Sequence, residues 1–135
     1  MPLKTFLNNK MENKILIVDD EAHIRMLIEQ TLEDLEEEGV IFFKAENGEE
    51  ALKIIQAEKP QLVFLDVMMP KMNGMEVCRH VKKELGLDKV FIVLLTAKGQ
   101  ELDKLKGQEV GANLYMTKPF DPEAILNKAR EVLHL

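Results

Sequence analysis

A single cysteine, Cys78, leaves this sequence without the means to close a disulfide within the chain. Tryptophan is absent, tyrosine occurs once, and no apolar run approaches the roughly 20 residues needed to span a bilayer. Excess positive charge is lacking too. Against 18 Lys and Arg stand 24 Asp and Glu, and the net charge of -6 disfavours unassisted binding to nucleic acid or to an anionic membrane surface. No internal repeat, low-complexity tract or linker interrupts the 135 residues, a length that suits one domain with one core. No GxGxxG turn follows the first apolar run, which argues against a dinucleotide cradle. Met1 to Lys10 holds no apolar core long enough for a signal sequence. The chain is therefore expected to be soluble and cytoplasmic, with residues 1–12 an N-terminal extension, 13–135 the folded domain, and either Met1 or Met11 the natural start.

What is present alternates between two patterns. Lys14 to Val18 (KILIV) is a short β-branched run that stops at Asp19-Asp20-Glu21. Ile24, Leu27, Ile28, Leu32 and Leu35 then recur at a helical period, which predicts a helix from Ala22 to about Glu38 with Gly39 as its stop. Val40 to Ala45 reads as a second strand, and Asn47-Gly48 turns into a helix that ends before Pro60. Leu62 to Leu65 is apolar without alternation, as in a strand buried on both faces, and it ends on Asp66. A third helix runs from Gly74 through Leu85, and Val90 to Leu95 is a fourth strand ending at Thr96-Ala97. A weaker helix is expected around Gln100 to Val110, then a strand over Asn113 to Met116 leading to Thr117-Lys118-Pro119-Phe120. Asp121 and Pro122 have the residue types of an N-cap and first turn for a last helix to about Leu133.

Strands alternating with helices imply an α/β fold, a doubly wound parallel sheet, because right-handed crossovers return each strand to the same sheet. Placing the most apolar strands centrally gives the flavodoxin-like order 2-1-3-4-5. In that order Asp19, Asp20, Asp66, Thr96 and Lys118 all meet at the carboxyl ends of the strands. Taken singly, a strand-end aspartate is more often a turn cap, and a Lys-Pro pair a loop. Taken together, three carboxylates in one crevice would repel by about 3 kcal/mol per close pair at an effective dielectric of about 20, which calls for a cation. Magnesium suits such oxygen donors and leaves room for phosphate. A lysine and a threonine at the same mouth complete the parts of a phosphoryl-transfer site in which Asp66 is the nucleophile.

The motifs ILIVDDE at 15–21, LVFLDVMMPKMNG at 62–74, VLLTA at 93–97 and YMTKPF at 115–120 resemble, in order and spacing, the receiver domain of bacterial two-component response regulators, including the chemotaxis regulators. The resemblance implies a signalling switch rather than a turnover enzyme. It implies Asp66 as the phosphoacceptor, charged by the phosphohistidine of a sensor histidine kinase or phosphotransfer protein. It further implies magnesium held by Asp19, Asp20, Asp66 and the backbone carbonyl of Met68, and a phosphoryl group held by Thr96, the Ala97 N–H and Lys118. Thr96 and Tyr115 would form the switch that alters the surface offered to a downstream protein target, with no direct binding to nucleic acid or membrane. A cis Lys118-Pro119 bond is expected, to aim the lysine into the crevice. A phosphohydrolase of the haloacid dehalogenase type also uses a strand-end aspartate, but its DxDx[TV] pattern fails here at Met68. In many dimerising relatives acids in strand five pair with arginines of the last helix; Gly111-Ala112-Asn113-Leu114-Tyr115 lacks them, so a monomer is expected. Met68 and Lys98, near the path of a hydrolytic water in the family, offer it no orienting acceptor, which implies a long-lived phosphoryl group.

Overall fold

Alternation along the first strand, β1 (Lys14–Val18), builds the two-sided core. Ile15 and Ile17 leave one face of the sheet, Leu16 and Val18 the other, and all four are fully buried. The computed structural model of the protein describes residues 12–97 and 109–135. After β1 come α1 (Ala22–Thr31), β2 (Ile41–Ala45), α2 (Gly48–Glu58), β3 (Leu62–Asp66), α3 (Gly74–Arg79), β4 (Phe91–Ala97), β5 (Leu114–Lys118) and α4 (Pro122–Leu133). The strands form one parallel sheet in the order β2-β1-β3-β4-β5, as expected.

Each face of the sheet has its own cover. Leu62 and Phe64 of β3 and Val93 and Leu95 of β4 join Ile15 and Ile17 beneath Ile28 of α1 and Ile125, Ala129 and Leu133 of α4. Val63, Leu65, Ile92 and Leu94 join Leu16 and Val18 beneath Ala51 and Ile55 of α2 and Val77 and Cys78 of α3. Each fully buried aliphatic side chain stabilises the fold by about 1.5–3 kcal/mol over an exposed one. Such a core holds the strand ends in fixed register, and pairing of Val18 with Leu65 sets Asp19 level with Asp66.

Two predicted helices differ from their expected form. The α-helix that begins at Ala22 ends at Thr31 and gives way to a 3-10 segment, Glu33–Glu38, closed by Gly39 at φ 91. Five acids in that segment face the negative end of the helix dipole, so continuing the α-helix there is unfavourable. The third helix is α-helical only to Arg79, and His80–Glu84 widens into a π turn. There Lys82 bonds the carbonyls of Asp88 and Val90. Strands β4 and β5 each run two residues further than expected, to Ala97 and Lys118, which carries pairing into the site itself. The helix anticipated around Gln100 to Val110 lies largely outside the described residues, as does most of the 1–12 extension. Asp121 caps α4 by accepting from the Glu123 N–H, with Pro122 in the first turn. Among the described residues no helix is long and apolar enough to cross a membrane.

Candidate functional site

Asp19 leaves β1 on the α1 side of the sheet and is entirely buried. Its N–H donates to the Ala45 carbonyl at 3.2 Å, and its own carbonyl accepts from Arg25 Nη1 at 2.6 Å. Of its carboxylate oxygens, Oδ1 accepts from the Glu21 N–H at 2.9 Å and Oδ2 from Lys118 Nζ at 2.8 Å. Asp66, at the end of β3, is 5% exposed, with Oδ1 3.2 Å from the same ammonium. Asp20 is exposed at the rim, and one carboxylate oxygen from each of Asp19, Asp20 and Asp66 lies within 4.8 Å of the others.

Crowding shifts the ionisation here. Burial, then the charge of Asp19, pushes the Asp66 carboxyl up from 3.8 to about 6; Lys118 pulls it back in part and Asp20 adds a smaller push. The Lys118 ammonium loses stabilisation to burial, but its hydrogen bond to Asp19 and the charges of Asp66 and Asp19 prevail, and its pKa is raised. Hard carboxylate oxygens from three side chains, one of them open to solvent, fit magnesium or a similar ion, whereas no histidine or cysteine belongs to the cluster. His23 is exposed and pairs with Glu21, and His80 pairs with Glu84.

The loop after β3 is held tightly against this site. The Val67 N–H donates to the Leu95 carbonyl, and the Gly74 N–H returns to the Val67 carbonyl. Lys71 adopts φ 70 inside a three-residue turn in which the Met72 N–H donates to the Pro70 carbonyl. Two glycines permit the close approach. A Cβ on Gly74 would stand 2.3 Å from the Asp66 carbonyl oxygen, and one on Gly48 would stand 2.0 Å from that of Met72.

The remaining sequence-predicted residues fall nearby. Thr96 is buried at the end of β4, exposed Ala97 pairs in register with Lys118, and Lys118-Pro119 is cis. Met68, 62% exposed, follows Asp66 by two positions. Tyr115 is half-buried and packs against the core under α2 and α3. Lys98 lies outside the described residues. Sequence reasoning did not single out Arg25 or the Glu21 amide, and it read Gly48 only as part of a turn; for Arg25 the available signal was a basic residue one turn into the helix after an acidic pair.

A family model for the response regulator receiver domain matches residues 15–130. The chain belongs to the response regulator receiver domain family. This receiver domain is 44% identical over 123 residues to the alkaline phosphatase synthesis transcriptional regulatory protein PhoP of Bacillus subtilis, a match that covers 91% of this chain and 49% of that protein. The chain spans about half the length of the curated relatives it matches. Among solved structures it is similar to a putative response regulator of Chloroflexus aurantiacus, with TM-score 0.79 and 32% identity, covering 91% of this chain and 98% of that one. It is likewise similar to the chemotaxis protein CheY4 of Vibrio cholerae, with TM-score 0.77 and 33% identity, covering 89% and 98%.

Proposed function

We propose that this receiver domain is a phosphorylation-dependent switch in which Asp66 accepts a phosphoryl group from the phosphohistidine of a sensor kinase or phosphotransfer protein. One observation carries the reading: three carboxylates gathered at adjacent strand ends, with a lysine ammonium shared by the two buried ones. A carboxylate oxygen of Asp66 attacks phosphorus, a P–O bond forms and the P–N bond breaks. The imidazole leaves with the electron pair and is protonated from solvent. Asp19, Asp20, Asp66 and the Met68 carbonyl are the residues that would hold magnesium, which when bound supplies positive charge for the phosphoryl oxygens. Lys118 exchanges its Asp66 contact for a phosphoryl oxygen, while the Thr96 hydroxyl and the Ala97 N–H donate to the others. Movement of Thr96 toward the phosphoryl group vacates space for Tyr115 and changes the β4–β5 surface offered to a downstream protein.

In this reading the domain itself contacts neither nucleic acid nor membrane, in keeping with its net charge of -6, and it turns over no substrate beyond its own aspartyl phosphate. Incubation with acetyl phosphate, with and without magnesium, followed by intact-mass measurement tests it. Addition of one phosphoryl group that needs both magnesium and Asp66 is expected. Labelling of the Asp66→Ala variant at the parent rate would refute the assignment.

A further inference from the structure

Asp20 presents a puzzle of orientation. It is the exposed member of the acidic trio, and among the described residues no hydrogen bond or ion pair holds its carboxylate. Its reach is therefore set by where its backbone places it and by its own two side-chain torsions. The peptide that joins it to Asp19 is held at its carbonyl by Arg25 Nη1 at 2.6 Å, and the preceding Val18–Asp19 peptide is held at its N–H by the bond to the Ala45 carbonyl. That carbonyl lies outside the helical hydrogen bonds of α1, whose first turn instead closes on the Glu21 carbonyl. We propose that Arg25 is a positioning residue for divalent-cation binding, which holds the Asp19–Asp20 peptide and so keeps the Asp20 carboxylate within reach of the buried pair Asp19 and Asp66. The proposal rests on the reading of the acidic trio as a cation site.

The charge of Arg25 makes the idea testable by sign. A guanidinium next to a cation site repels the cation, so if charge alone mattered its removal would tighten binding. If it orients a ligand, removal weakens binding despite that relief. Groups that hold metal ligands in place typically contribute about 10–100-fold to affinity. Arg25 is half-buried and lines an open cavity of about 310 Å³ with Glu29, Lys44, Glu46 and Glu50. Truncation there opens onto solvent and leaves no sealed void, so the fold is expected to survive.

The experiment is Mn²⁺ binding to the full chain at neutral pH, read by the spin-resonance signal of the free ion, with urea unfolding of each variant alongside. Arg25→Ala is expected to bind roughly 10-fold more weakly than the parent, and Arg25→Lys, which can still donate to the carbonyl, to recover most of that loss. Arg25→Met keeps the aliphatic stem and replaces the alanine variant if that one unfolds. Unchanged or tighter binding in Arg25→Ala or Arg25→Met would overturn the proposal, including where stability alone falls. An Asp20→Asn control separates the two ideas: if it binds Mn²⁺ as the parent does, the cation site itself is misread and the role of Arg25 falls with it.

Discussion

Replacing Asp66 by asparagine should make this protein more stable, by an amount that depends on pH. The Asp66 carboxyl is moved from 3.8 to about 6 in the folded chain, chiefly by burial and by Asp19. Each decade of displacement corresponds to about 1.4 kcal/mol, so full ionisation costs the fold about 3 kcal/mol. The sign follows from proton counting. Between the two values the folded state binds more protons at this site than the unfolded state, so stability falls as pH rises through that window. Asparagine has nearly the same shape and never ionises. The advantage of Asp66→Asn is therefore about 0.5 kcal/mol near pH 4, and it grows to about 3 kcal/mol above pH 7.

Urea unfolding followed by circular dichroism at several pH values measures this directly, since the midpoint shifts while the slope stays fixed. In a thermal scan the difference at high pH is about 10 °C for a domain of this size. Saturating magnesium should close much of the gap, because a ligand that binds only the folded parent stabilises it by mass action. A variant that is less stable than its parent at pH 8, or an advantage that does not change with pH, would show that Asp66 is not an ionised group held against its solvation.

Four other outcomes follow from the same geometry and sequence. Gly48→Ala should destabilise the fold by about 1–3 kcal/mol, because its Cβ meets the backbone of Met72 and not a flexible side chain; urea midpoints measure the loss. Lys118→Met should lift the Asp66 carboxyl above about 6, since the charge and hydrogen bond that lower it are gone, and a carbon-13 titration of that carboxyl reads the shift. The same variant should be about 3 kcal/mol less stable at neutral pH, with two buried carboxylates left unpaired. Sedimentation of the beryllofluoride-treated protein at micromolar concentration should give a monomer; a tight dimer would show that the face of β5 and α4 pairs without the missing acids.

The sheet was legible because its strands carry their own signature. Leu62 to Leu65 has no polar residue to place in water, and Ile15 to Val18 none either, so both had to lie centrally, and the strand order followed from the crossovers. The cap at Asp121 and the turn at Asn47-Gly48 were equally local, and in the structure Asp121 and Asn47 each accept from an N–H two or three residues on. The 3-10 segment after Thr31 was not read, because the apolar positions Leu32 and Leu35 keep a helical spacing through it; what ends the α-helix is charge on the opposite face. The π turn at His80–Glu84 has no sequence period of its own. Arg130 of the last helix, with no acids in strand five to meet, pairs instead with Glu38 at 3.0 Å. That pair joins segments 92 positions apart, and no spacing rule reaches so far.

The site shows the same division between what a pattern reveals and what only packing decides. Asp19 and Asp66 look alike in sequence, each the acid at a strand end. The fold treats them oppositely. Asp19 is surrounded by donors, one on each carboxylate oxygen and one on its carbonyl, so its charge is well compensated while each oxygen keeps a lone pair for a cation. Asp66 shares only the Lys118 ammonium, on Oδ1, and among the described residues its other oxygen accepts no hydrogen bond. A carboxylate that is buried, poorly compensated and still holding a free lone pair is raised in pKa and made more nucleophilic for the same reason. Surrounding Asp19 with donors while leaving Asp66 short of them keeps an under-compensated charge on Asp66. Transfer of a phosphoryl group to that oxygen would relieve the shortage, since the new group presents its own oxygens to Lys118 and to the donors at the end of β4. Under the proposed switch, the stability that Asp66 withholds from the unmodified fold would favour its modification, and the same difference in donors would set Asp66 apart from Asp19.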